Sequence, residues 1–193
     1  MEMIPIPGAE IYYYKNFLRC STCCGRSPPG NDAQLHSTMP CLATKPTTAI
    51  RGPSTYIRGA STSHSPGFPE LLHLKTRVEE ATPGVAYSNS SLPRLGYNAV
   101  LCNLYRNGDD SVGLHADAEP EMGPVIASVS LGAERLFRLK GQNGAIALAE
   151  RLPHGSLLIM AGQTQRKFKH EVPKEPDVAQ PRINLTFRHI KHK

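Results

Sequence analysis

The sequence predicts a mainly β protein, a jelly roll or double-stranded β-helix with one helix beside it. From residue 97 onward, short apolar or alternating runs follow one another. Turn pairs such as Asn107-Gly108 and Asn143-Gly144 separate some of these runs. A single stretch with helical spacing precedes them. Short strands at such regular intervals are typical of a double-sheet all-β fold. The predicted strands cover residues 97–106, 125–131, 135–140, 145–150, 156–160, 168–172 and 182–189.

The predicted helix covers residues 69–80. Leu71, Leu74 and Val78 recur there at helical spacing. Pro69 suits the first turn of a helix, and Pro83-Gly84 ends it. We therefore expect this helix to lie against the outside of the barrel.

The remaining stretches carry weaker signals. Residues 4–18 predict a short strand followed by a turn. Residues 19–65 are rich in Ser, Thr, Pro and Gly, which predicts a loop or a weak hairpin. Residues 81–96 are predicted to form a loop.

Length and composition indicate one intracellular domain. The chain has 193 residues and no Trp, and 39% of its residues are hydrophobic. This content is enough for one core. Its net charge of +6 favours an anionic partner such as nucleic acid, with a solvated basic surface as the alternative. No apolar run is long enough for a membrane span, and residues 1–5 lack the form of a signal peptide. We expect a monomer in the nucleus or the cytoplasm.

The cysteines fit a reducing compartment. Cys20, Cys23, Cys24 and Cys41 lie in the Ser/Pro-rich region. Their spacing matches a zinc site poorly, because no convincing second pair of ligands follows. Cys102 lies in an apolar run and is predicted to be a core residue.

The strongest chemical signal is His115-Ala116-Asp117 together with the distant His170. A His and a carboxylate two residues apart on an extended strand point to the same side. A second His from another strand completes a two-His, one-carboxylate face. That ligand set is typical of non-haem Fe(II) oxygenases.

The last predicted strand alternates strictly between polar and apolar residues. Arg182, Asn184, Thr186 and Arg188 share one face of it. Arginine binds carboxylates through two parallel hydrogen bonds, so this face suits a small dianion such as 2-oxoglutarate. Asn103 and Tyr105 share a face of an earlier strand and add hydrogen-bonding groups.

These motifs carry a resemblance to a known family. Residues 97–190 resemble the AlkB family of Fe(II)/2-oxoglutarate dioxygenases, in particular the branch that repairs alkylated bases in nucleic acids. The motifs occur in the family's order over about half of the chain. The resembling segments are 103–105, 115–119, 126–132, 154–158 and 182–188.

The resemblance implies a role for each residue. The residues implied to hold iron and to be catalytic are His115, Asp117 and His170. Those implied to surround 2-oxoglutarate are Asn103, Tyr105, Arg182, Asn184, Thr186 and Arg188. Of these, Arg182, Asn184 and Tyr105 take the distal carboxylate, whereas Arg188 and Asn103 lie near the metal-chelating one. The residues implied to contact substrate are Glu119, beside the flipped base, and Tyr56 and Arg58 in a lid.

The resemblance also implies the reaction and the domain organisation. It implies an enzyme that uses Fe(II), 2-oxoglutarate and dioxygen to demethylate 1-methyladenine and 3-methylcytosine in DNA or RNA, a direct-reversal repair activity. Residues 1–96 are expected to form an N-terminal extension with the nucleotide-recognition lid and a supporting helix, and 97–193 the jelly-roll core. Ala118 replaces an acidic residue that is frequent in repair members. A protein, small-molecule or 6-methyladenine substrate, or a non-catalytic nucleic-acid-binding module, therefore stay open as alternatives.

Overall fold

The computed structural model describes residues 1–18, 50–51, 54–58, 69–82 and 96–191. These residues form two antiparallel sheets and two helices, α1 (Pro69–Ala81) and α2 (Thr164–Lys167). Within this part of the chain, no helix has the length and apolarity that crossing a bilayer requires. The strands are, in chain order, β1 (Glu2–Ile6), β2 (Ala9–Tyr14), β3 (Ile50–Arg51), β4 (Ser54–Arg58), β5 (Ala99–Tyr105), β6 (Ser111–His115), β7 (Ile126–Gly132), β8 (Arg135–Gly141), β9 (Ile146–Leu152), β10 (Ser156–Ala161), β11 (Phe168–Val172) and β12 (Arg182–Arg188).

The two sheets differ in size. The larger sheet has the order β1-β2-β10-β7-β12-β5-β4, and the smaller one has the order β3-β6-β11-β8-β9. Strands that are distant in sequence lie next to each other, as in a rolled double sheet. This architecture confirms the predicted jelly-roll fold class. Each strand predicted beyond residue 97 is present, with ends that differ by no more than a few residues.

The N-terminal segment corrects one prediction. Residues 4–18 were predicted as a single short strand with a turn, but the segment forms the hairpin β1–β2. Gly8 allows the tight turn, because its φ of 84° is open to glycine and strained for other residues. Pro5 is tolerated in β1 because this strand is the edge of the sheet. β2 then pairs with β10 in the centre of the larger sheet.

Strand pairing joins the described parts of 1–96 to the later strands. β2 pairs with β10, and β4 pairs with β5. α1 buries Leu71, Leu74 and Val78 in the same apolar cluster as β5, β7, β10 and β12. The predicted packing of this helix outside the barrel is confirmed. The predicted lid in 19–65 lies outside the described residues, apart from β3 and β4.

The central strands of the larger sheet, β10, β7 and β12, are buried on both faces, which explains the apolar runs of β10 and β7. The outer face carries Leu185 and Phe187, which pack in the α1 cluster. The inner face turns toward the smaller sheet. At one end of it, Ile11, Ile126 and Met160 form a core with Phe137 and Leu139 of β8. The other end of the inner face is polar.

Arg135, at the start of β8, is 1% exposed and connects three segments. A guanidinium group has five N–H donors. Here they reach Glu175 Oε2 and the carbonyl oxygens of Asn107, Gly108, Asp110 and Pro173 at 2.7–3.4 Å. Because each of the three guanidinium nitrogens donates at least one hydrogen bond, the buried charge is compensated. Arg135 therefore fastens the 107–110 loop and the segment after β11 to β8.

We expect Arg135→Met to lower the free energy of unfolding by about 3 kcal/mol, since removal of one partner from a buried ion pair leaves groups without partners. Urea denaturation measures this change. Arg151→Met is the matched control, because Arg151 binds the same Glu175 at 2.9 Å but its side chain is 55% exposed. That control is expected to cost less than about 1 kcal/mol. Equal small losses in both variants would contradict the assigned role.

Candidate metal and co-substrate site

The two histidines of the predicted triad lie on neighbouring strands. His115 is the last residue of β6, and His170 is in the middle of β11. The two residues are paired directly across the antiparallel ladder. Their ring centroids are 4.3 Å apart. Strand pairing alone therefore brings together two side chains that are 55 positions apart in the sequence (170 − 115).

Asp117 lies just beyond the end of β6, not within an extended strand as the sequence pattern predicts. Its carboxylate oxygens lie 3.8 Å from His115 Nε2 and 3.8 Å from His170 Nε2. One ligand atom from each of the three residues lies within 4.8 Å of the others. The chain thus turns after His115 and still brings the carboxylate to the same point.

Both imidazole rings suit a metal. The carbonyl of Gly113 lies 2.8 Å from His115 Nδ1 and can only accept, so Nδ1 is the donor and Nε2 is the nitrogen on the side of Asp117. Burial, and then the neighbouring His115, lower the pKa of His170 from 6.5 to about 4. The His170 ring is therefore neutral near pH 7, which is the form that binds a metal.

Arg188 connects this triad to the polar end of the larger sheet. Its Nη2 atom lies 2.8 Å from Asp117 Oδ2, and both side chains are 7% exposed. Arg182, Asn184, Thr186 and Arg188 are all buried on β12. The predicted polar face of β12 therefore borders the triad.

Arg182 is the most deeply buried cation of this face, at 2% exposure. Its Nη2 donates to Ser130 Oγ and Asn184 Oδ1, each at 2.9 Å. Its guanidinium carbon lies 4.9 Å from the ring centroid of Tyr105. Its Nε and Nη1 atoms have no partner among the residues that the structure describes. Burial lowers the pKa of Arg182.

The residues around Arg182 form a connected polar row. β5 pairs with β12 so that Tyr105 lies opposite Arg182, and Asn103 lies opposite Asn184. Asn184 donates to Thr186 Oγ1 at 2.7 Å and accepts from Ser128 Oγ at 2.8 Å. The structure thus brings together the six residues predicted to surround the co-substrate.

The N–H groups of Arg182 and Arg188 that lack partners among the described residues are suited to binding an anion. A buried guanidinium with unused N–H groups is unfavourable unless a charged acceptor compensates it. Arg188 Nε is likewise without a partner in the described part of the chain. A small dicarboxylate supplies acceptors at both ends, one toward Arg182 and one toward Arg188 and the triad. The residues present therefore fit 2-oxoglutarate as well as a metal ion.

The predicted substrate contacts are less well defined. Glu119 lies in the exposed loop after Asp117, where its carbonyl accepts a hydrogen bond from Met122 N at 2.9 Å. Ala118 is exposed beside it. Tyr56 and Arg58 belong to β4, whose backbone pairs with β5, but their side chains lie outside the described part of the structure.

Sequence reasoning missed four residues of this region. Ser128 and Ser130 bind Asn184 and Arg182, and two serines spaced by two in the apolar run 125–131 were a usable signal. Arg135 shares its inner face with Phe137 and Leu139, so strand alternation also marked it. Gln165 binds the backbone of Asp117, and no pattern in the sequence marks it.

The comparisons with known proteins agree with this geometry. The family model described as "2OG-Fe(II) oxygenase superfamily" matches residues 26–188. The bovine (Bos taurus) protein "Alpha-ketoglutarate-dependent dioxygenase alkB homolog 3" is 43% identical over an alignment of 149 residues that covers 72% of this chain and 48% of the relative. This chain belongs to the AlkB family of 2OG-Fe(II) oxygenases. The family's name states the dependence on Fe(II) and 2-oxoglutarate, in agreement with the predicted cofactors.

Other relatives of this AlkB-family chain extend the comparison. "DNA oxidative demethylase ALKBH2" of Arabidopsis thaliana is 41% identical over 146 residues, covering 63% of this chain and 43% of the relative. The chain spans about half the length of the curated relatives it matches.

Solved structures show the same fold. A prolyl hydroxylase from Trichoplax adhaerens, in complex with a hypoxia inducible factor peptide, aligns with a TM-score of 0.64 at 13% identity. That alignment covers 94% of this chain and 83% of the hydroxylase. "The structure of OsALKBH1" aligns with a TM-score of 0.50 at 23% identity over 70% of this chain and 73% of that one.

Proposed function

We propose that this protein is an Fe(II)- and 2-oxoglutarate-dependent dioxygenase that removes methyl groups from alkylated bases in nucleic acid. One observation carries the proposal. A His-Asp-His triad is linked through Arg188 to the buried polar face of β12. At the other end of that face, the Nε and Nη1 donors of Arg182 lack partners in the described structure. The relatives named DNA oxidative demethylases support the choice of reaction.

The proposal assigns a task to each residue of the site. His115 Nε2, a carboxylate oxygen of Asp117 and His170 Nε2 hold Fe(II). Arg182 binds the distal carboxylate of 2-oxoglutarate, with Tyr105 and Asn184 beside it. Asn103 and Arg188 lie near the metal-chelating end, and Thr186 lines the co-substrate. Arg188 also holds Asp117 in place through its 2.8 Å ion pair.

When bound, Fe(II) would allow dioxygen to oxidise the N-methyl group, and this oxidation is coupled to decarboxylation of 2-oxoglutarate. One oxygen atom leaves in succinate and the other in formaldehyde, with carbon dioxide and the unmethylated base as the remaining products. The protein orients the reactants and excludes water. The polar face of β12 contributes most to the exclusion of water, because Arg182, Asn184 and Thr186 are nearly inaccessible to solvent.

The proposed substrates are 1-methyladenine and 3-methylcytosine in DNA or RNA. A base must leave its stack to reach a buried metal, so the pocket must accept a flipped nucleotide. The proposed contacts are Glu119 at the mouth and Tyr56 and Arg58 on β4. The net charge of +6 suits a polyanionic partner. An intracellular monomer, in the nucleus or the cytoplasm, is consistent with such a substrate.

The deciding experiment measures 2-oxoglutarate-dependent formaldehyde release from 1-methyladenine and 3-methylcytosine oligonucleotides. Single- and double-stranded DNA and RNA are compared, and Asp117→Ala is the negative control. We expect release by the parent protein and none by the variant. The strand form with the highest rate identifies the preferred substrate.

Two other outcomes reject parts of the proposal. Succinate formation without removal of a base methyl group rejects the substrate but retains the oxygenase chemistry; peptides and 6-methyladenine RNA are then tested. Nucleic-acid binding without any consumption of 2-oxoglutarate rejects the enzyme and favours a binding module.

A further inference from the structure

We propose that Gln165 is a positioning residue that holds the backbone of Asp117 so that its carboxylate meets His115 and His170 before any metal binds. Gln165 lies on α2, five residues before His170 (170 − 165). Its Oε1 accepts a hydrogen bond from Asp117 N at 3.0 Å, and this bond is buried. The inference rests on the metal ligands proposed above.

The end of the strand ladder explains why Asp117 needs such a partner. β6 and β11 are paired at His115 and His170, and β6 ends there. Two residues later, the Asp117 N–H no longer has a strand carbonyl opposite it. A buried backbone N–H without an acceptor is costly, so the chain must supply one. The Gln165 amide supplies it and lets the chain leave the strand direction at that point.

Gln165 is itself held from both sides. Its Nε2 donates to Met160 Sδ at 3.2 Å, which orients the amide with its oxygen toward Asp117. The neighbouring Thr164 donates to Ala161 O at 2.6 Å and accepts from Glu10 N at 2.9 Å. α2 is therefore fastened to β10 and β2. A metal ligand stays in place only if the residue that supports it is rigid, because movement of that residue also moves the ligand.

This arrangement ties all three ligands to one stretch of chain. His170 follows α2 directly, His115 is paired with His170, and Asp117 is bound to Gln165. Loss of the Gln165 bond is thus expected to loosen Asp117 alone. Partners that orient metal ligands contribute about 10- to 100-fold to metal affinity, and we expect an effect of that size here.

The test compares the parent with Gln165→Met, which keeps the side-chain length but has no oxygen acceptor. Apo protein is titrated with Mn²⁺ by calorimetry, and amide hydrogen exchange at Asp117 is followed by NMR. We expect the Kd for Mn²⁺ to rise about 10- to 100-fold and the Asp117 amide to exchange at least about tenfold faster. Gln163→Met is the matched control, since Gln163 is exposed and makes no side-chain cap contact.

Two further variants separate positioning from packing. Gln165→Glu keeps an acceptor for the Asp117 N–H, so exchange protection is expected to return to within about threefold of the parent. Met160→Leu removes the sulfur that orients the Gln165 amide but keeps the Gln165 acceptor, so it is expected to raise the Mn²⁺ Kd by less than Gln165→Met does.

Several results would overturn the inference. One is faster exchange at Asp117 with an unchanged Mn²⁺ Kd, which would make the bond purely structural. Another is rapid exchange of this amide in the parent apo protein, a measurement that needs no variant to fold. Metal binding is read without nucleic acid, so failure of the demethylation assay leaves this inference standing, whereas absence of Mn²⁺ binding by the parent rejects the metal site itself.

Discussion

An Asp117→Asn variant is expected to lose both Mn²⁺ binding and 2-oxoglutarate turnover while remaining folded. Asparagine keeps an oxygen toward Arg188, whose Nη2 lies 2.8 Å from the present carboxylate, so packing is retained. The variant removes the only negative charge among the three proposed ligands. Because residues that merely orient ligands contribute about 10- to 100-fold to affinity, we expect loss of a ligand to exceed about 100-fold.

Calorimetric titration with Mn²⁺ and succinate formation measure these two losses. Asp177→Asn is the matched control, because Asp177 is exposed and is not one of the proposed ligands. The expected control values equal those of the parent. Turnover at the parental rate in Asp117→Asn would reject the proposed ligand set.

Arg182→Met is expected to have opposite effects on co-substrate affinity and on stability. Affinity for 2-oxoglutarate falls because the distal carboxylate loses its buried cation. Loss of one partner from a buried charge pair costs about 2–5 kcal/mol, which is on the order of 30-fold or more in Kd. The free energy of unfolding of the apo protein stays equal or rises, since Nε and Nη1 of the guanidinium have no partner among the described residues.

Thermal unfolding with and without 2-oxoglutarate, in the presence of Mn²⁺, measures both effects. The parent is expected to gain stability from 2-oxoglutarate, and the variant is not. Arg166→Met serves as control, because Arg166 is exposed on α2. A variant that is clearly less stable without ligand would mean that Arg182 is a structural cation.

Arg182 and Arg135 show why the degree of hydrogen bonding, and not burial, decides these outcomes. Both guanidinium groups are at most 2% exposed. All three guanidinium nitrogens of Arg135 donate hydrogen bonds within the protein, and its removal is expected to destabilise the fold. Arg182 has two nitrogens, Nε and Nη1, without a partner in the described part of the chain, so its removal is expected to affect the ligand instead.

Much of the fold was accessible from the sequence because it depends on local patterns. Alternation in 182–188 predicted β12, with one polar and one apolar face. Helical spacing of Leu71, Leu74 and Val78 predicted α1 and its buried side. The N-terminal hairpin was missed, because the two-residue turn at Pro7-Gly8 was not recognised between two short runs.

The sequence alone determined the family, the fold class and the candidate ligands, because each is encoded in residue type and short-range spacing. Tertiary structure decided what depends on strand pairing between distant segments. It placed His115 opposite His170, it brought Arg188 to Asp117, and it gave Arg182 two nitrogens with no partner among the described residues. The contact between Gln165 and Asp117 spans 48 positions and depends on where a ladder ends. No local pattern encodes such a position, since it is set by the register of two strands that meet only in the folded chain.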